Sequence, residues 1–160
     1  QKIDYTYVQS GNLINLAQIS QTSNDGQLVL QTNVEYYDSK GRPLQVRYPD
    51  GKVETIVWGY GGRFVAARIE NKTKAQVESL IGSLQIPLVG TLDYQKEKTL
   101  RGVSDAYVTT YEYLDGVGIS RITQPDGTSA FFVYNTDGKL VGAFDTNGNP
   151  VSSVNYNIQK

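Results

Sequence analysis

Thr123-Gln124-Pro125-Asp126-Gly127-Thr128-Ser129-Ala130-Phe131-Phe132-Val133-Tyr134-Asn135-Thr136-Asp137-Gly138-Lys139-Leu140 holds the fold of this chain in miniature. Pro125-Asp126-Gly127 and Thr136-Asp137-Gly138 are turn signals. Glycine takes positive φ without a Cβ penalty, and Asp or Asn before it favours the tight turns that close β-hairpins. Residues 129–134 between them are rich in aromatic and β-branched side chains, the composition of a strand. Strand, turn, strand, turn is the grammar of an antiparallel hairpin array.

The same punctuation runs outward in both directions. Glycine returns about every ten or eleven residues, at Gly26, Gly41, Gly51 and Gly62, then at Gly116, Gly127, Gly138 and Gly148. Turns are read at Gly41, Asp50-Gly51, Asp126-Gly127, Gly138 and Gly148, and the positive φ is expected at the glycines. The runs between them predict strands over 3–9, 13–19, 27–37, 43–48, 52–58, 64–69, 106–113, 119–124, 129–134, 139–144 and 151–158. In 27–37, Leu28, Leu30, Thr32, Val34 and Tyr36 alternate with Val29, Gln31, Asn33, Glu35 and Tyr37, so the two sets predict opposite faces. Sequential hairpins lie side by side, which gives an antiparallel up-and-down meander of about ten strands.

One segment breaks the pattern. Thr73-Lys74-Ala75-Gln76 fits a capping box. Val77, Leu80, Ile81 and Leu84 follow at helical spacing. The spacing predicts a helix over about 74–84, stopped before Pro87. Residues 91–101 fit a short second helix or a loop. The expected layout is one mainly β domain over residues 1–160: a repeat block at 1–70, a helical insert at 71–102, and a second repeat block at 103–160. Whether the sheet stays open or folds into two packed sheets is not legible in the pattern.

Composition narrows function. The chain has 160 residues, 15 basic and 16 acidic, no Cys and no His. That removes thiol nucleophiles, Ser-His-Asp chemistry and the usual zinc sites. No basic patch suggests nucleic acid. No apolar run approaches the roughly 18 residues of a membrane-spanning helix. The absence of Met suggests a processed or excised chain. Twelve Tyr against four Phe suit a half-wet sheet, where the ring packs and the hydroxyl reaches a polar partner.

Tyr37-Asp38-Ser39-Lys40-Gly41-Arg42-Pro43-Leu44 resembles the Tyr-Asp-x-x-Gly-Arg-Leu signature of YD repeats, the units of the Rhs (rearrangement hot spot) family, with Pro43 inserted. Tyr134-Asn135-Thr136-Asp137-Gly138-Lys139-Leu140 is similar, with Asn for Asp and Lys for Arg. The Pro-Asp-Gly turns at 49–51 and 125–127 match as well. Val108-Thr109-Thr110-Tyr111-Glu112-Tyr113 onward, and Trp58-Gly59-Tyr60 before the insert, are similar to the C-terminal region of bacterial Rhs-like surface proteins. The resemblance implies a β-repeat structure in a secreted, periplasmic or surface-displayed bacterial protein. Large members coil many repeats into a shell around a cargo, and three or four units are too few for that.

Candidate chemistry is thin. Asp38, Asp50, Asp115, Asp126, Asp137 and Asp145 could be paired carboxylates of a glycan-active enzyme, but each stands at or beside a turn glycine, where turn formation explains it. Asp145-Thr146-Asn147-Gly148-Asn149 resembles the start of a calcium loop without its terminal Glu. The expectation is no metal, no cofactor and no catalysis. Arg42, Arg47, Arg63, Arg68 and Arg121 are expected to be solvated or paired across strands. Trp58, Tyr60, Tyr111, Tyr113 and Tyr134 are the candidate ligand residues, because an exposed aromatic ladder could stack the rings of a polysaccharide. Sheet packing is the competing reading. The expected function is a non-enzymatic structural or binding module. Its partner would be a protein, or a second copy meeting it at the sheet edges near residues 3–9 and 151–158. A carbohydrate-binding module is the alternative.

Overall fold

A computed structural model describes residues 2–84 and 90–153. Its eleven strands form one antiparallel sheet in strict chain order. They are β1 (Lys2–Ser10), β2 (Leu13–Thr22), β3 (Leu28–Tyr37), β4 (Pro43–Arg47), β5 (Val53–Gly59), β6 (Phe64–Glu70), β7 (Tyr107–Leu114), β8 (Gly118–Thr123), β9 (Ser129–Tyr134), β10 (Leu140–Asp145) and β11 (Pro150–Ser153). The sheet is open: β1 and β11 do not meet. The expected meander stands, with every predicted strand found within a few residues. Of the final strand expected over 151–158, positions beyond 153 lie outside the described residues.

Six hairpins close in one way, seen at β4–β5. The Tyr48 amide bonds to the Lys52 carbonyl (2.9 Å), and the Gly51 amide bonds back to Tyr48 (3.0 Å). This is a three-residue loop in which only the glycine takes positive φ, +83° at Gly51 and +87° at Gly127. Gly41, Gly138 and Gly148 hold the equivalent place in their own loops. The preceding Asp serves the loop with its side chain. Asp50 and Asp126 accept from the amides of Lys52 and Thr128, at 3.0 and 2.9 Å.

The alternation read in β3 fails at its end. Val34 pairs with Val46, but Tyr36 pairs with Gln45, so Glu35 is bulged. Tyr36 therefore leaves the face of Val34, and its ring lies 5.7 Å from the Lys74 ammonium. A bulge inserts one residue and resets which face the following side chains take.

The insert between β6 and β7 forms two helices, α1 (Lys74–Ile81) and α2 (Tyr94–Arg101). Thr73 caps α1 with the expected capping box to Gln76. The helix ends earlier than its apolar spacing suggests, because Gly82 at φ +78° breaks it. Pro87 lies outside the described residues. The segment left open at 91–101 is mostly helix, capped by the Asp93 carboxylate on the Lys96 amide (3.0 Å). Among the described residues, no helix is long and apolar enough to cross a membrane.

Both helices lie on one face of the sheet centre. Val77, Ile81, Leu84, Leu92 and Leu100 pack on Val57, Ala67, Ile69 and Val108. Thr55 ties the same face to the insert by donating its hydroxyl to the Lys72 carbonyl (2.7 Å). Direct partners across antiparallel strands share a face. By register the opposite face therefore carries Val34, Val46, Glu54 and Glu70 in one row, and Ile56, Arg68 and Thr109 in the next.

Candidate functional site

The candidate aromatics gather at one end of the sheet for a structural reason. β3, β5, β7 and β9 each carry an aromatic residue at or one position before their last residue, all at the same sheet end. Each reaches back to the preceding strand. The Tyr37 hydroxyl donates to the Leu16 carbonyl. The Trp58 indole donates to Pro43 (2.8 Å), Tyr113 to Val65 (3.1 Å) and Tyr134 to Ile119 (2.8 Å). A half-buried Tyr or Trp needs a partner for its polar tip, and here the backbone supplies it.

This geometry divides the five predicted ligand residues. Tyr60 and Tyr113 meet, with ring centres 5.2 Å apart at 82°, and Phe64 stacks on Tyr113 at 4.6 Å. The Tyr113 amide donates to the Tyr60 hydroxyl (2.9 Å). Burial pushes the Tyr113 hydroxyl above its usual pKa. Trp58 lies under the Arg42 guanidinium, 5.4 Å from ring centre to carbon, and packs against the core. Tyr134 belongs to the separate β8–β9 hairpin. Tyr111 pairs in register with Ile122, and burial raises its hydroxyl pKa too. The result is one small cluster and three separate packing rings, not a continuous ladder.

The carboxylates and arginines are also engaged. Asp38 accepts from the amides of Lys40 and Arg42 at 2.8 and 2.9 Å, and its carboxylate meets the Arg42 guanidinium at 2.5 Å. Burial works to raise its pKa, but those donors outweigh it and the net shift is downward. Asp145 accepts from the amides of Asn147 and Asn149, at 2.9 and 2.8 Å, and from the Asn149 side chain. Those bonds, the Asn149 side chain first, hold its pKa down. Arg47, Arg68 and Arg121 pair across strands with Glu35, Glu54 and Glu112, as expected, and Arg63 pairs with Asp115.

Sequence reasoning missed one site. On the helix-free face, a cavity of about 440 Å³ is lined by Leu30, Tyr48, Pro49, Val53, Glu54 and Glu70, among others. Glu54 is 6% exposed. Its partners are the Arg68 guanidinium at 3.5 Å and the Tyr48 hydroxyl, which donates at 3.4 Å. Burial raises the Glu54 pKa, and Arg68 opposes it. Glu70 stands directly across the β5–β6 pair, and two like charges so opposed destabilise a sheet. A lone acid inside Val53-Glu54-Thr55-Ile56-Val57 was the available signal. Alternation alone reads it as solvent-facing.

No known family model matches the chain, and no curated protein matches it. Solved structures give a distant likeness. The crystal structure of TcdB2-TccC3-TEV is 13% identical with a TM-score of 0.31, covering 96% of this chain and 12% of that one. The crystal structure of TcdB2-TccC3 is 12% identical with a TM-score of 0.26, covering 92% and 12%. The chain thus spans about an eighth of the length of these neighbours.

Proposed function

We propose that this chain is a non-enzymatic structural or binding β-repeat module of an extracytoplasmic bacterial protein, making protein–protein contacts through its sheet edges. One observation carries the reading: among the described residues eleven strands stand in chain order, and the first and last of them do not pair with each other. Such edges expose rows of unpaired N–H and C=O groups that accept a further strand. The side chains that could have supported another activity support this reading by their bonding. The polar tips of Trp58, Tyr113 and Tyr134 are committed to backbone carbonyls. The carboxylates of Asp38, Asp50, Asp126 and Asp145 are committed to turn amides. A binding or catalytic group in an unliganded site usually keeps donors or acceptors aimed at the ligand.

The test is a panel of bacterial and plant polysaccharides on immobilised protein, with Trp58→Ala and Tyr134→Phe beside the parent chain. The expected result is no saturable binding to any glycan. Saturable binding that Trp58→Ala abolishes, in a variant still folded by circular dichroism, overturns the reading in favour of a carbohydrate-binding module.

A further inference from the structure

The two edges of the sheet are not alike. β11 begins with Pro150, which cannot donate to a ladder. β1 runs for nine residues without proline. Edge strands are commonly protected by charge, proline or bulges. β1 has two charges, and they neutralise each other: Lys2 and Asp4 form an ion pair at 2.8 Å. A bulge does occur in the β1–β2 ribbon, but it belongs to β2. Thr6 pairs with Gln18 and Tyr7 with Leu16, leaving Ala17 as the extra residue. The outer side of β1 keeps its regular spacing.

The side chains point the same way. Ile3, Tyr5 and Tyr7 alternate on one face and are 55%, 55% and 60% exposed. Their partners on β2 include Ile19 and Leu16, and Ile14 opposite Gln9 extends the same apolar face. The reverse face carries Lys2, Asp4 and Thr6 against Thr22, Ser20 and Gln18, and turns apolar only near the hairpin loop, at Val8 and Leu13. This ribbon is amphipathic, yet the helices cover only the centre of the sheet, on its other side. Edge-to-edge pairing sets exposed rings of this face side by side across the new ladder, where part of each is removed from water.

We propose that β1 pairs with β1 of a second copy, antiparallel about a two-fold axis at Thr6, so that two sheets join into one. The proposal rests on the reading of the chain as an edge-binding module and names its partner. Centring on Thr6 overlaps all nine residues, which maximises ladder hydrogen bonds. It sets Tyr5 of each copy beside Tyr7 of the other, the cross-strand aromatic pair that stabilises sheets. It places Asp4 opposite Val8 and Lys2 opposite Ser10. A register centred on Asp4 instead opposes two like charges. A two-fold contact of this kind is self-complementary and closed, so association stops at the dimer.

Sedimentation equilibrium over a wide concentration range tests it, with Thr6→Pro, Val151→Pro and Tyr48→Lys alongside the parent. The expected result is a dimer. Thr6→Pro should raise its dissociation constant about tenfold or more, by kinking β1 and breaking its regular spacing at the centre of the interface. Val151→Pro and Tyr48→Lys should leave it unchanged. The chain has no cysteine, so Thr6→Cys under mild oxidation should give a disulfide-linked dimer, while Ser152→Cys should not. A monomer throughout overturns the proposal and leaves the module reading to the glycan panel. A dimer that survives Thr6→Pro but is lost in Val151→Pro or Tyr48→Lys also overturns it, in favour of β11 or of face-to-face stacking. Cross-linking at Ser152 and not at Thr6 does the same.

Discussion

Glu54 is the residue whose environment departs furthest from what its neighbours in sequence suggest. Its raised pKa makes stability depend on pH with a definite sign. A carboxyl whose folded pKa lies above its unfolded value binds its proton more tightly in the folded state. Its contribution is fully present below the unfolded pKa near 4.5 and is lost as pH rises through the higher folded value. Glu54→Gln removes this titration. The variant should be at least as stable as the parent at neutral pH, and the gap should close as pH falls below about 4.5. Denaturant melts at both pH values read it. A variant much less stable at neutral pH would mean that the Arg68 and Tyr48 bonds outweigh the burial cost. Tyr134 gives a second residue-scale prediction. Tyr134→Phe keeps the ring and strands the Ile119 carbonyl, at a cost of about 1 kcal/mol in chemical denaturation. Gly127→Val must force a β-branched residue to φ +87° and should cost on the order of 1–3 kcal/mol. Unchanged melting in either variant would contradict the turn and tether assignments.

Among the elements, the insert matters most to stability. α1 and α2 are eight residues each, too short to persist alone in water. They are held by what they bury. Leu100 is fully buried under α2 within the core of Ile69, Val77 and Val108. Leu100→Ala should cost about 2–5 kcal/mol, because the transfer loss is compounded by a cavity. Thermal melting is the measurement, and a loss well under 1 kcal/mol would show that the insert is not the keystone of the core. The caps of both helices were readable or nearly so. Thr73 and Gln76 announce α1 by spacing. Asp93 announces α2 only after one knows that Lys96 follows in a helix, since a charged run with one buried leucine has little apolar period.

At the scale of the whole molecule, protection should fall from the centre of the sheet toward its edges. β5, β6 and β7 lie under the helices and hold most of the buried core, while β1–β3 expose Ile3, Tyr5, Ile14, Leu28 and Val29. In dilute solution, amide hydrogen exchange should be slowest in β5–β7, and the outer amides of β1 should exchange fastest among the long strands. Equal protection in β1 and β6 under those conditions would contradict an open sheet. Strand order, turn positions and the first helix were legible in the sequence because each rests on local chemistry. A glycine after Asp makes a turn wherever it stands, and adjacent hairpins pair because they are adjacent. Even the pairing of the arginines followed from cross-strand proximity. The bulges at Glu35 and Ala17, the burial of Glu54, and the backbone tethers of Trp58, Tyr113 and Tyr134 were decided only in three dimensions. Each depends on what a neighbouring strand, distant by ten to fifty residues along the chain, places opposite a given side chain. Local sequence can set the period of a strand, but the register and the layer above it determine which face is covered.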